Sequence, residues 1–190
     1  TITLTEDLIA NADLTIDGDV EVLDLGGKEI NLPAGKTINF TANNNGDVSI
    51  TIKNGTINAA NAAISLGGTA LNNDGFDLTI EEDATIDAGK IGVLVGSSAG
   101  AGEIVIKGTV IGGQYGISVN GKRTSAGSKG TEITVEDGAV IKGEGTGAAL
   151  GMYLAGNCTT TILGGEISGE STGIEVRDGT LTINGGTITS

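Results

Sequence analysis

Hydrophobic and polar positions alternate along most of this chain, in short bursts that return. Six times an apolar-x-apolar triplet is followed a few residues later by another apolar position, often just after a glycine. The first copies read Ile50-Thr51-Ile52 with Gly55-Thr56-Ile57, Leu78-Thr79-Ile80 with Ala84-Thr85-Ile86, and Ile104-Val105-Ile106 with Gly108-Thr109-Val110. The rest read Ile133-Thr134-Val135 with Gly138-Ala139-Val140, Thr160-Thr161-Ile162 with Gly165-Glu166-Ile167, and Leu181-Thr182-Ile183 with Gly186-Thr187-Ile188. A period of two puts alternate side chains on opposite faces and predicts β-strands. The third triplet positions are separated by 28, 26, 29, 27 and 21 residues, a loose but sustained repeat.

A further strand lies between the phrases: Ile64-Ser65-Leu66, Val93-Leu94-Val95, Ile117-Ser118-Val119, Met152-Tyr153-Leu154 and Ile174-Glu175-Val176. Each repeat therefore holds three short strands. A helical crossover needs a dozen residues with a 3.6-residue period, and no segment between strands offers one. The strands must coil directly. This spacing predicts an all-β fold, a single-stranded right-handed parallel β-helix with three short strands per rung and about six to seven rungs.

One domain is expected over 1–190. Residues 1–48 alternate at Leu14, Ile16, Val20, Val22, Leu25, Ile30, Ile38 and Phe40, as first rungs or an N-terminal cap. The chain opens and stops in mid-pattern, so a fragment of a longer protein is expected, with more rungs or a cap after Ser190. A left-handed hexapeptide helix fails on the unequal sides, and calcium rolls fail for lack of their glycine-rich nonapeptides. A β-sandwich stays open as an alternative, but it would need regular two-residue hairpin turns.

Stacked copies place equivalent residues about 4.8 Å apart. Lys53, Glu81, Lys107 and Glu136 would then form a column of alternating charge. Thr15, Thr51, Thr79, Val105, Thr134, Thr161 and Thr182 would form an outward column, with threonine suiting a pleated, solvated surface. An ice-ordering face would need two threonine ranks on one strand. The second set (Thr56, Thr85, Thr109, Thr187) lies past a corner and is interrupted by Ala139 and Glu166, which disfavours it.

Composition sharpens this picture. Glycine supplies 34 of 190 residues and proline one, which excludes collagen and argues against an α-rich fold. Ten basic against 24 acidic residues leave a net charge of −14, so neither nucleic acid nor an anionic membrane surface is an expected partner. No apolar run approaches about 18 residues, so membrane insertion is not expected. The lone Cys158 has no partner for an internal disulfide, and the chain has no histidine with which to ligate zinc. It reads as a small buried hydrophobe.

The segment Leu23-Asp24-Leu25-Gly26-Gly27-Lys28-Glu29-Ile30, with Asn-Gly-Thr-Ile at 54–57 and Gly-Gly-Thr-Ile-Thr at 185–189, resembles the pectate-lyase-like right-handed β-helix superfamily. More narrowly, it resembles the β-helical segments of large bacterial surface and adhesin-type proteins. The resemblance spans nearly the whole chain and implies an extracellular or cell-surface bacterial protein. Its motifs are strand and turn residues, which specify fold rather than chemistry.

Enzymatic relatives of that kind use an Asp-Asp pair with a histidine, or calcium-binding carboxylates with an arginine base. This chain has no histidine, no Asp-Asp dipeptide, and only Arg123 and Arg177. Arg123 falls in the Asn120–Gly130 loop, and Arg177 is expected to form an exposed ion pair beside Asp178. The acidic groups Asp17-Gly18-Asp19, Glu81-Glu82-Asp83 and Glu136-Asp137 look poorly placed to converge on calcium. Tyr115 and Tyr153 could share one face as a glycan contact. No catalytic residue, cofactor or metal is assigned. The expected function is a non-enzymatic structural and adhesive spacer, with glycans or a host or cell-surface protein as partners and end-to-end self-association as a further contact. The alternative is a polysaccharide-binding or calcium-dependent lyase-like β-helix acting on acidic glycans.

Overall fold

A computed structural model describes residues 1–41, 48–67, 76–97, 101–120 and 130–190. The chain winds as a parallel β-solenoid, and no helix occurs among the described residues. The first coil holds β1 (Ile2–Thr3), β2 (Leu8–Ile9) and β3 (Leu14–Asp17), the second β4 (Val22–Leu32) and β5 (Ile38–Thr41). Next come β6 (Val48–Ala59) with β7 (Ala62–Leu66), then β8 (Phe76–Ile80), β9 (Ala84–Ala88) and β10 (Ile91–Val95). Then follow β11 (Gly102–Ile106), β12 (Thr109–Gly112) and β13 (Tyr115–Val119), and β14 (Thr131–Val135), β15 (Val140–Gly143) and β16 (Leu150–Leu154). The last strands are β17 (Cys158–Ile162), β18 (Glu166–Gly169), β19 (Thr172–Val176), β20 (Thr180–Ile183) and β21 (Thr187–Thr189).

One face is a seven-stranded sheet, in the order β19-β16-β13-β10-β7-β5-β3. The other two faces join into a single sheet because β4 and β6 run unbroken through the corner between them. Residues 1–41, whose alternation fits coil or cap equally well, pair in parallel as successive coils. At the β6 corner the backbone turns through Asn54 at φ 59°, the one non-glycine residue with positive φ among those described.

The triplets stack as their spacing demands. Ile52 pairs with Ile80, Ile80 with Ile106, Ile106 with Val135, and Val135 with Ile162, and all five side chains are fully buried. Phe76 and Gly102 are neighbours in another inward column, and the phenyl ring fills the space a side chain at Gly102 would need. Cys158 closes that column, paired with Thr131 and buried.

Two details of register depart from the sequence pattern. Thr109 pairs with Val140 rather than Ala139, because that corner takes up Glu136 to Ala139 and Gly138 turns it at φ 84°. Ala139 is therefore buried while Val140 faces out. Thr15 pairs with Asn39 on the seven-stranded face and so stands outside the threonine column.

Thr160 occupies an inward slot between Ile133 and Leu181, fully buried, and its Oγ1 has only the neighbouring Cys158 thiol beside it, with no well-formed hydrogen bond. A buried polar group left unpaired costs about 1–3 kcal/mol. Thr160→Val keeps the shape and removes the hydroxyl, so it is expected to raise stability by an amount in that range. The check is an upward shift of the urea midpoint at unchanged slope.

Candidate functional site

The side chains that could meet a partner lie on the outward slots and corners. Backbone N–H groups of Glu81, Lys107 and Glu136 donate to the carbonyls of Ile52, Ile80 and Ile106, which sets Lys53, Glu81, Lys107 and Glu136 at successive levels of one corner. Within that column Lys107 Nζ donates to both carboxylate oxygens of Glu81, at 3.0 and 3.2 Å. Lys53 instead turns one coil back to Asp24, at 3.4 Å. The four charges thus form no continuous chain of pairs among the described residues. With both partners about a third exposed, the Lys107–Glu81 pair contributes under about 1 kcal/mol.

A tighter arrangement sits at the neighbouring corner position. Asp24 Oδ1 accepts from the Gly26 N–H (2.9 Å) and from Asn54 Nδ2 (3.1 Å), while Asp83 Oδ1 accepts from the Asn54 N–H (2.8 Å). Two carboxylates from different coils thereby hold Asn54 in its left-handed conformation. Asn54-Gly55 is readable in sequence as a turn, but its distant carboxylate partners are not.

The Gly26 N–H, helped by Asn54 and Lys53, holds the Asp24 carboxyl below its ordinary value. A carboxyl with a lowered folded-state pKa supplies stability above the unfolded value of about 3.9, and that stability is lost as pH falls toward the folded value. Stability is therefore expected to drop on acidification below about pH 4. Asp24→Asn should flatten that part of the profile, measured as melting temperature against pH.

Thr51, Thr79, Val105, Thr134, Thr161 and Thr182 follow one another in register, half-buried until Thr182 at the exposed end. Beside them runs a rank the triplets do not include: Ser49, Asp77, Glu103, Glu132, Thr159 and Thr180. Asp77, Glu103 and Glu132 lie directly above one another, where like charges are unfavourable. They border a cleft of about 380 Å³ with Gly102, Gly130 and Asn157. The triplet period contains this rank too, two residues before each central threonine or valine. A second cleft of about 320 Å³ lies on the adjoining face along Asn31, Asn58 and Asp87. There Asn58 Nδ2 donates to Asn31 Oδ1 and Glu29 Oε2, each at 3.1 Å.

Tyr115 and Tyr153 come together on the seven-stranded face, rings stacked at 5.3 Å between centroids and 28° between planes. Arg177, from the end of the next coil, lies over the Tyr153 ring at 5.7 Å and pairs with Glu175 through Nε at 2.6 Å. Tyr153 thus contacts both a phenol and a guanidinium. Sequence spacing places the two tyrosines on one face but does not bring in Arg177 or Glu175. The other two aromatics, Phe40 and Phe76, are buried, and Arg123 lies outside the described residues.

The acidic groups are engaged locally: Asp17 accepts from the Asp19 N–H, Glu81 holds Lys107, and Asp83 holds Asn54. Among the described residues no three Asp, Glu or Cys side chains converge as metal ligands. Burial raises the Cys158 thiol above its ordinary value; Thr160 opposes this and the Asp178 carboxylate adds to it. Such a thiol is a poor nucleophile. Among the described residues no helix is long and apolar enough to cross a membrane.

Fold and surface together define a parallel β-solenoid, several of whose polar side chains bind its own corners. Comparisons with protein-family models, with curated proteins and with solved structures each return no match.

Proposed function

We propose that the chain is a non-enzymatic structural and adhesive module of an extracellular or cell-surface bacterial protein, acting as a stiff spacer with a long interaction face. The observation that carries this reading is the unbroken register of the inward columns, from Leu23 through Ile52, Ile80 and Ile106 to Ile162. Backbone pairing at every level resists bending, and seven strands at about 4.8 Å span roughly 30 Å along the axis. A right-handed coil is the hand expected of parallel crossovers, about 98% of which are right-handed. Glycans or a host or cell-surface protein would be the partners. The likeness of the Leu23–Ile30 segment to β-helical adhesin segments of the pectate-lyase-like superfamily supports the extracellular setting.

The Asp77, Glu103 and Glu132 stack beside its cleft favours one second reading, a calcium-dependent polysaccharide-binding or lyase-like module for acidic glycans. One pair of assays separates the two. The folded chain is applied to glycan and extracellular-protein arrays, and pectin is followed for unsaturated-uronate absorbance with and without EDTA. Saturable array binding without an absorbance change is expected. An absorbance rise that EDTA abolishes, with a calcium-dependent melting shift, would replace the spacer with the lyase.

A further inference from the structure

Readily oxidised side chains are few in this chain. It has no tryptophan and no histidine, and its single cysteine and single methionine, Cys158 and Met152, are buried. The two phenols, Tyr115 and Tyr153, remain. Both stand on the seven-stranded face and both are half-buried, so each keeps an opening to solvent.

Register brings them together. Tyr115 pairs with Leu150 and Tyr153 with Ser118, so the two side chains leave adjoining strands three residues apart along the ladder. The positions between them put no side chain on the outer surface, since Gly116 and Gly151 have none and Ile117 and Met152 are fully buried. The rings meet across that gap at 5.3 Å between centroids. That is toward the short end of the range of about 4.5–7 Å over which aromatic pairs interact.

We propose that Tyr115 and Tyr153 are an oxidative cross-linking site, joined as dityrosine by a haem peroxidase using hydrogen peroxide. Each phenol gives its O–H hydrogen, as a proton and an electron, to the oxidant, and one peroxide becomes two waters. The two phenoxyl radicals pair their electrons in a carbon–carbon bond between ring positions next to the oxygens. The hydrogens on those carbons then pass to the oxygens and restore both phenols. Proximity selects this product, because a radical already stacked on its partner couples within the chain before it meets another chain. The sequence holds no tryptophan to drain the radical. The bond ties β13 to β16 and so joins two successive coils covalently. It goes beyond the spacer reading and does not depend on it.

The test treats the 190-residue chain with a haem peroxidase and hydrogen peroxide under conditions that couple free tyrosine. Its intact mass should fall by two hydrogens while the chain stays monomeric. After tryptic digestion, peptide 108–122, which holds Tyr115, should appear joined to peptide 143–177, which holds Tyr153. Tyr115→Phe and Tyr153→Phe should each abolish that monomeric product. An equimolar mixture of the two variants can couple only between chains, and at micromolar, equal phenol concentration it should give at least about tenfold less dityrosine than the parent. A parent chain that keeps its mass, or a mixture that matches the parent's yield, would overturn the inference.

Discussion

Truncating Ile80 to alanine is expected to destabilise the chain by about 2–5 kcal/mol, the cost of removing a buried isoleucine whose surroundings relax little. Ile80 is fully buried between Ile52 and Ile106, so the void opens inside a column bounded by rigid backbone above and below. Solenoid stability is close to a sum over neighbouring coils, so the damage should be local. Hydrogen exchange should quicken in β6, β8 and β11 while β16 and β19 keep their protection. Ile183→Ala is the control, because that side chain is half exposed, and it should cost under about 1 kcal/mol. Equal losses at the two positions in urea unfolding would contradict the stacked column.

Gly116→Val is expected to cost at least about 3 kcal/mol, beyond ordinary overpacking because the obstruction is largely main chain. A Cβ at Gly116 would lie 2.7 Å from the Ile141 Cγ2, 2.8 Å from the Gly151 carbonyl oxygen and 3.0 Å from that of Lys142. The methyl could move; the two carbonyls belong to the β-ladders of the next coil. Gly151 meets the same obstruction one coil on, 2.8 Å from the Ile167 Cγ2 and 2.7 Å from the Gly173 carbonyl. Gly138→Ala separates sterics from conformation. Gly138 has nothing within 4 Å of a built Cβ but sits at φ 84°, so alanine there should cost only about 1–2 kcal/mol. A mild effect at Gly116 in thermal unfolding would mean that the faces do not meet this closely.

The columns were legible in the sequence because a period of two and a repeat near 27 residues leave few ways to bury Ile52, Ile80 and Ile106 together. Corners were not, because glycine serves two purposes that look alike in sequence. Gly138 turns the chain at φ 84°, whereas Gly116 makes room for a neighbouring methyl group and two carbonyls of the next coil. That ambiguity shifted Ala139 into the slot Val140 occupies. The Leu25-Gly26-Gly27 bulge, which breaks the pairing of β4 with β6 between Asp24 and Lys28, follows no period at all. On the surface, the shared face of Tyr115 and Tyr153 was readable from strand alternation. The clamp of Asp24 and Asp83 on Asn54 was not, because it joins residues about thirty positions apart by side-chain reach rather than by pattern.

The stacked tyrosine pair gives the molecule a built-in local gauge. The chain has two tyrosines and no tryptophan, and both tyrosines lie in that stack, 5.3 Å apart on adjoining coils. Near-ultraviolet dichroism and intrinsic emission therefore report chiefly on one junction, between β13 and β16. Loosening that begins at the N-terminal tip leaves this signal untouched until it arrives there, whereas far-ultraviolet dichroism declines from the start; at the other tip Arg177, beside the last strand of that face, lies over Tyr153 and transmits the change at once. The lag between the two optical traces measures how far along the axis a disturbance has travelled.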